Sequence, residues 1–345
     1  MNAVEVRNLS KSFEDVKAVD KISFVVKKGE MFGFLGPNGA GKTTTINMLT
    51  GLARPDQGSI RVHGKDYLKN LKTIKQSIGV VPDESNLYPE LSGLENLCFC
   101  AALYGMKKAE RTAKAWELLE QFGLKEAAFR KFGAYSKGMK RKLTIAAGII
   151  HDPEILFLDE PTTGIDVASA RQIRMLIARL HETGKTVFLT THYIEEAERL
   201  CERIAFIVSG RIVRIDTMEN LLQPMQEEHL AEIICTRGEK QAVDLLGKEF
   251  KDLVFNNTGR NAGRSFSRDK EAGEEHVRVK SGEPIPVGRL VRFLEENGIQ
   301  VIEARLLRSS LEDVFVRITG IEAKELLKVT ETKRHGKKKK AGGGT

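Results

Sequence analysis

The segment GPNGAGKT, residues 36–43, has the residue types that bind phosphate. Its glycines let several backbone N–H groups converge on an anion without Cβ clashes. Lys42 supplies a positive charge for the β- and γ-phosphates, and the hydroxyl of Thr43 suits Mg²⁺. A strand pattern before the segment and a helix pattern after it favour a nucleotide site over an ordinary glycine-rich turn. The residues predicted to bind are Gly36, Pro37, Asn38, Gly39, Ala40, Gly41, Lys42, Thr43 and Thr44.

Two adjacent carboxylates follow the apolar run in ILFLDEP, residues 155–161. Asp159, at the end of this predicted strand, is expected to hold Mg²⁺ opposite Thr43. Glu160 is well placed to orient and deprotonate an attacking water. Two acids at a strand end can also form a solvated edge, but the phosphate loop earlier in the chain favours the catalytic interpretation.

A single histidine, His192, follows the apolar strand pattern VFLTT. A lone histidine is more often structural than functional. Here its strand is expected to run parallel to the strand of Asp159, which places both residues at the same edge of a sheet. We therefore predict that His192 faces the γ-phosphate.

A second anion-binding pattern occurs in YSKGM, residues 135–139, at the start of a basic helical run. A helix start offers unpaired N–H groups and the positive end of the helix dipole. The residues predicted to contact phosphate there are Ser136, Lys137, Gly138 and Met139. The sequence thus predicts two phosphate-binding segments in one chain.

The elements that must position these residues alternate between strand and helix over residues 1–220. This alternation predicts an α/β fold with a largely parallel sheet. One continuous apolar run, KISFVVKKGEMFGFLG, is expected to end at Gly36, and a helix is expected from Lys42 to about Thr50. Residues 88–150 are predicted to form a mainly helical subdomain.

The composition changes near Gln223-Pro224, where a second domain is expected to begin. The expected order is βαββαβ, typical of a small ferredoxin-like unit. Its predicted strands are 229–236, 252–256, 276–280 and 299–307, its helices are 239–250 and 286–297, and a mobile loop spans 256–275. The predicted domain limits are 1–222, 223–322 and, for a basic disordered tail, 323–345.

Composition excludes several protein classes. Hydrophobic residues make up 41% of the 345 residues, yet no stretch approaches the length of a membrane span. We expect no signal peptide, and we expect the four cysteines to be reduced cytosolic thiols without zinc-ligand spacing. The net charge of +8 is concentrated in residues 333–340, which contain six Lys and Arg. Such a run is either a solvated end or a contact for anionic lipid or nucleic acid.

Together these motifs give a family resemblance. GPNGAGKT, YSKGM, ILFLDEP, TTGIDVAS and the histidine of THY resemble those of the ATP-binding subunit of ABC transporters, in the same order and spacing across residues 1–220. The resemblance implies a P-loop NTPase fold of ABC type, with a mixed sheet core and a helical subdomain, that uses ATP and Mg²⁺. In this family two such domains meet head to tail, so the YSKGM segment of one subunit covers the ATP bound by the other.

The resemblance also assigns residue roles. It implies that Phe13 stacks on adenine, that Asp166 lies in the loop joining the two sites, that Glu160 is the general base and that His192 senses the γ-phosphate. Two positions depart from the family pattern: Lys137 replaces a glycine, and Asp83 replaces a glutamine. Asp83 is shorter than glutamine and negative, so it is expected to approach Mg²⁺ through water.

The segments LYPELSGLENL and SLEDVFVRITG resemble an exporter-type branch whose multi-span membrane permease is a separate chain. This implies a dimer at the cytoplasmic face of the membrane, formed either by two copies of this chain or by this chain and a similar ATPase subunit. Two rival functions stay open from the sequence. A soluble ATPase acting on nucleic acid is supported only by the basic tail, and a non-catalytic regulatory subunit is opposed by intact Lys42, Asp159, Glu160 and His192.

Overall fold

The computed structural model describes residues 1–226, 229–236, 241–257, 274–307 and 310–320. The predicted tail 323–345 and most of the predicted loop 256–275 lie outside the described residues. The chain forms two compact units. The first comprises Met1–Met218 together with residues 315–320, and the second comprises the described residues of Glu219–Val314.

The first unit contains two sheets. Its strands are β1 (Asn2–Phe13), β2 (Val16–Lys27), β3 (Met31–Leu35), β4 (Gln57–Val62), β5 (Lys65–Asp66), β6 (Ile78–Val81), β7 (Ile155–Asp159), β8 (Thr186–Thr191), β9 (Arg203–Val208) and β10 (Arg211–Thr217). The larger sheet has the order β10-β9-β3-β8-β7-β6, and all its neighbours are parallel except β10 and β9. The largely parallel sheet is confirmed.

The smaller sheet is antiparallel and has the order β2-β1-β4-β5. The predicted continuous run ending at Gly36 is divided here between β2 and β3, which belong to different sheets. The chain turns between them at Gly29, whose φ of 72° lies in the left-handed region that glycine adopts without strain. The alternating pattern predicted strands on both sides of this turn but did not indicate the turn itself.

The two sheets share an aromatic core. Phe188 on β8 lies with its ring centroid 5.5–5.8 Å from the rings of Phe24, Phe32, Phe34 and Phe157. Phe24 comes from β2 of the antiparallel sheet, and the other rings come from the parallel one. These side chains are buried, and their packing fixes the parallel strands whose ends carry the candidate site.

Helices connect the parallel strands. They are α1 (Lys42–Leu49), α2 (Leu71–Ser77), α3 (Gly93–Leu103), α4 (Lys108–Gln121), α5 (Lys137–Ile149), α6 (Val167–Glu182) and α7 (Ile194–Leu200). The amphipathic pattern SARQIRMLIARLHETG forms α6, whose buried residues recur at helical spacing. Among the described residues, no helix is both long enough and apolar enough to span a membrane.

The second unit has the predicted βαββαβ order. Its elements are β11 (His229–Thr236), α9 (Ala242–Glu249), β12 (Val254–Asn257), β13 (Glu274–Ser281), α10 (Val287–Glu296) and β14 (Val301–Leu307). In the chain α8 (Met218–Gln226) precedes them, and α11 (Leu311–Thr319), which begins in this unit and ends in the first, follows them. The sheet is antiparallel with the order β12-β13-β11-β14, which is the strand order of a ferredoxin-like unit. Its core lies between the sheet and helices α9 and α10.

Candidate active site

The phosphate loop joins β3 to α1 in a conformation that requires glycine. Gly39 and Gly41 have φ values of 82° and 102°. A Cβ on Gly41 would lie 2.4 Å from the carbonyl oxygen of Ala18, and one on Gly36 would lie 2.1 Å from that of Ile207. The loop is therefore packed tightly against neighbouring backbone, and a side chain larger than hydrogen would not fit at Gly36 or Gly41.

Lys42, the first residue of α1, is buried and folds back over this loop. Its Nζ donates hydrogen bonds to the carbonyl oxygens of Gly36 at 2.8 Å and Pro37 at 3.1 Å. The same nitrogen lies 3.1 Å from Oε1 of Glu160. The sheet order explains this meeting, because β3, β8 and β7 are neighbours and their carboxyl ends share one edge.

Glu160 follows β7 directly and is 7% exposed. Its φ of 48° is left-handed, a strained conformation for a residue with a side chain. Its Oε2 lies 2.7 Å from Nδ1 of His192 and accepts a hydrogen bond of 3.0 Å from the hydroxyl of Thr163. Burial raises the pKa of this carboxyl, but the His192 hydrogen bond and the Lys42 charge outweigh burial, so the pKa is lowered. Glu160 is therefore held as a carboxylate, and Nδ1 of His192 is the donor.

Asp159, the last residue of β7, is 2% exposed. Its Oδ1 accepts a hydrogen bond of 2.5 Å from the hydroxyl of Thr190 on β8, and a second hydrogen bond joins its side chain to Thr43. Burial raises the pKa of Asp159, and these two hydrogen bonds oppose the rise. The contact with Thr43 joins the strand end to the phosphate loop, as expected for two groups that share one cation.

A cavity of about 300 Å³ brings together Thr43, Asp83 and Asp159, the three predicted metal ligands. Partial burial raises the pKa of Asp83, and the negative charges of Asp159 and Glu160 raise it further, whereas Arg141 opposes the rise. The described residues contain no cluster of three or more His, Cys, Asp or Glu side chains arranged to hold a metal alone. A hydroxyl and two carboxylates instead suit Mg²⁺, which keeps several waters and takes phosphate oxygens as ligands.

Arg141, which the sequence analysis did not single out, is buried on α5. Its guanidinium donates to the carbonyl oxygens of Asp159 at 2.6 Å, Pro161 at 2.8 Å, Asp83 at 3.1 Å and Pro82. It therefore ties the helix of the YSKGM segment to the backbones of two predicted metal ligands. The helical spacing of the sequence could have indicated that Arg141 is buried. It lies three residues after buried Gly138 and three before buried Thr144, on the buried face of the helix.

The YSKGM segment and the segment around Asp166 both form helix starts. Ser136 caps α5 by accepting from the N–H of Met139 at 3.2 Å, and Asp166 caps α6 by accepting from the N–H of Ser169 at 2.9 Å. A Cβ on Gly138 would lie 2.4 Å from Oγ of Ser169, so the two helix starts approach closely. The structure thus groups these residues around α5 and α6, whereas Lys42, Glu160 and His192 meet at the sheet edge.

The two remaining predicted contacts are exposed. Lys137 follows the cap of α5 and is exposed to solvent, so its charge lies outside the core of the chain. Phe13, at the end of β1, is 52% exposed, and Nζ of Lys11 lies 5.3 Å from its ring centroid. An exposed ring at a strand end is available for stacking, and its role stays a prediction.

Comparison with known proteins decides the family. Residues 19–163 match the family model described as "ABC transporter". The chain is 36% identical over 326 residues to Nod factor export ATP-binding protein I of Burkholderia lata, covering 93% of this chain and 98% of that protein. The chain belongs to the ABC transporter family.

Two further relatives agree with this assignment. This ABC protein is 46% identical over 218 residues to the linearmycin resistance ATP-binding protein LnrL of Bacillus subtilis, covering 63% of this chain and 70% of LnrL. It is 36% identical over 319 residues to the daunorubicin/doxorubicin resistance ATP-binding protein DrrA of Streptomyces peucetius, covering 92% of each chain.

Solved structures agree as well. A dimeric ATP-binding cassette in a post-hydrolysis state, bound to ADP and Pi, matches with a TM-score of 0.58 and 29% identity, covering 62% of this chain and 98% of that one. An ATP-binding subunit of an ABC transporter matches with a TM-score of 0.59 and 29% identity, covering 65% and 93%. The predicted P-loop NTPase fold of ABC type is confirmed, and the chain is an ABC ATPase.

Proposed function

We propose that this ABC ATPase powers export of a substrate through a separate multi-span permease, to which it binds at the cytoplasmic face of the membrane. The observation that carries the catalytic part is the placement of buried Glu160 between Lys42 and His192 at one sheet edge. Export is supported by the names of relatives that match almost the whole chain, one in Nod factor export and one in daunorubicin/doxorubicin resistance.

In the proposed reaction, Lys42 and the loop N–H groups bind the phosphates of ATP. Glu160 orients a water and accepts its proton, since a carboxylate with a lowered pKa is already ionised at neutral pH. His192 holds the Glu160 carboxylate in place through Nδ1. Thr43 and Asp159, with Asp83 through water, would hold Mg²⁺, which when bound neutralises developing phosphate charge.

Two copies of the chain would form the complete site. Ser136, Lys137, Gly138 and Met139 are proposed to contact the ATP held by the other copy's phosphate loop, and Asp166 to lie between the two sites. Two capped helix starts in close contact offer N–H groups to an anion on one surface. Phe13 is proposed to stack on adenine. The proposed domains remain 1–222 for ATP, 223–322 as an accessory domain and 323–345 as a tail.

Purification from native membranes tests this function. The tagged chain is expressed in its native cells, the membranes are solubilised gently, and co-purifying proteins are identified by mass spectrometry. A multi-span membrane protein in stoichiometric amount is the expected result. As a control, an excess of untagged chain should reduce the amount of this membrane protein that co-purifies with the tagged chain. Recovery from the soluble fraction with nucleic acid or ribosomes, and without a membrane protein, would contradict the proposal.

A further inference from the structure

The strand β14 in the second unit is an edge strand with two large apolar side chains in solvent. It ends the sheet order β12-β13-β11-β14, and among the described residues no strand pairs with its outer edge. Ile302 is 52% exposed and Leu306 is 62% exposed. An exposed edge strand presents unpaired N–H and C=O groups that can pair with another strand.

The sequence of this strand is complementary to itself when it runs antiparallel. If Ala304 lies opposite Ala304 of a second copy, Glu303 of each strand lies opposite Arg305 of the other. The side chains of Glu303 and Arg305 are 50% and 54% exposed, and they already form an ion pair of 3.3 Å within the strand. A two-fold axis repeats this cross-strand pair, so one contact contains two Glu–Arg pairs.

Neighbouring registers lack this complementarity. Centring the pairing on Glu303 would place two glutamates opposite each other, and centring it on Arg305 would place two arginines opposite each other. Like charges directly opposite in a sheet are destabilising. A β-bulge at Ile302, where β14 has one extra residue relative to β11, ends the regular ladder on one side and leaves Glu303 to Leu307 regular.

From this complementarity we infer that β14 is a dimerisation strand, which pairs antiparallel with β14 of a second copy of the chain around Ala304. The two four-stranded sheets then form one continuous sheet of the two accessory units. This contact needs no nucleotide. It would keep two copies together throughout cycles of ATP binding and release.

The first test measures mass in solution without nucleotide or divalent cation, so that ATP-dependent association is not measured. The wild-type full chain is expected at twice its chain mass of 38.5 kDa by light scattering across a dilution series. Glu303→Arg places Arg opposite Arg305 in both pairs and should raise the dimer dissociation constant by about ten-fold or more. Glu296→Arg, the same charge change at an exposed site on α10, should not alter it. A wild-type monomer, or a Glu303→Arg dimer of unchanged affinity, would overturn the inference.

The second test uses charge complementation. Glu303→Arg mixed with Arg305→Glu should give a heterodimer, because each strand then carries the charges that the other lacks. Arg305 also bonds the buried carboxylate of Glu232 at 2.6 Å, so Arg305→Glu is used only if its thermal unfolding shows a folded second unit.

A cysteine test does not depend on that variant. Ala304→Cys should form an intermolecular disulfide on mild oxidation, because position 304 faces its own copy. Glu303→Cys should form markedly less, because position 303 faces position 305. Equal cross-linking at the two positions, or none at position 304, would contradict the register.

Discussion

Nδ1 of His192 lies 2.7 Å from Oε2 of Glu160, in a contact where both side chains are almost fully buried. The two residues follow different parallel strands, β8 and β7, that are neighbours in the sheet. The hydrogen bond therefore fixes the direction of the carboxylate from outside its own strand. It also lowers the pKa of Glu160, against the opposite effect of burial.

Removing this hydrogen bond should shift the pH dependence of ATP hydrolysis. In His192→Ala the pKa of Glu160 should rise, because burial then acts with less opposition. A general base must be ionised, so activity is lost as pH falls through its pKa, and the acidic limb should move to higher pH. We expect turnover at neutral pH to fall by about 10²-fold. His192→Gln retains an amide donor, so its acidic limb should lie between those of the wild type and His192→Ala. An acidic limb at the wild-type position in His192→Ala would contradict this role of His192.

Arg141 should be required for both stability and metal use. Arg141→Met leaves the carbonyl oxygens of Asp159, Pro161, Asp83 and Pro82 without this donor, and each buried unpaired group costs about 1–3 kcal/mol. The melting temperature should fall, and the Mg²⁺ concentration that half-saturates ATP hydrolysis should rise because the backbones of Asp83 and Asp159 are less fixed. Lysine cannot reproduce the planar set of donors, so Arg141→Lys should restore only part of the melting temperature and of the Mg²⁺ dependence.

The control for Arg141 is Lys137→Met, which removes an exposed cation from the first turn of the same helix. It should leave the melting temperature nearly unchanged. Equal effects of the two substitutions on stability would show that the buried carbonyl contacts of Arg141 contribute little.

Glu196 on α7 should make stability depend on pH. It is 1% exposed, and its Oε1 accepts a hydrogen bond of 2.8 Å from Thr162. Burial raises its pKa above the ordinary 4.5, with partial opposition from hydrogen bonds to Thr191 and Thr162. The folded protein thus holds this proton more tightly than the unfolded chain does. The resulting stability is fully present below pH 4.5 and is lost as pH rises through the folded-state pKa.

Glu196→Gln carries no titrating proton and should remove this loss. Its melting temperature should decrease less than that of the wild type between about pH 5 and pH 8. Glu195→Gln, an exposed neighbour on the same helix, should keep the wild-type difference. The same pH difference in Glu196→Gln as in the wild type would show that Glu196 does not titrate separately in the folded protein.

The meeting of the main candidate residues was predictable because their positions follow from local patterns and one rule of sheet geometry. Glycines and Lys42 at the end of one apolar strand, the acids at the end of another and His192 after a third all reach the carboxyl edge of a parallel sheet. In the second unit, the alternation that predicted a strand at 229–236 gave the bounds of β11 as observed. In β11 the alternation of neighbouring residues is enough to determine the strand and its ends.

Long-range contacts could not be predicted in the same way. The guanidinium of Arg141 donates to carbonyl oxygens from two other segments, residues 82–83 and 159–161. Every residue type has a backbone carbonyl, so the sequence does not indicate these contacts. The division of β2 and β3 between two sheets depends on packing around Phe188, which the alternation pattern does not contain. The complementarity of β14 becomes visible only when the strand is known to be at an edge.

The most direct test of the proposed reaction is phosphate release from ATP by the purified full chain and its Glu160→Gln variant. Glutamine keeps the shape of the side chain but cannot accept the proton, so turnover should fall by about 10²- to 10⁴-fold. Labelled ATP should still be retained through gel filtration, and Glu195→Gln should behave as the wild type. Normal phosphate release by Glu160→Gln would contradict the assignment of Glu160 as the general base, and with it the reaction proposed for this site.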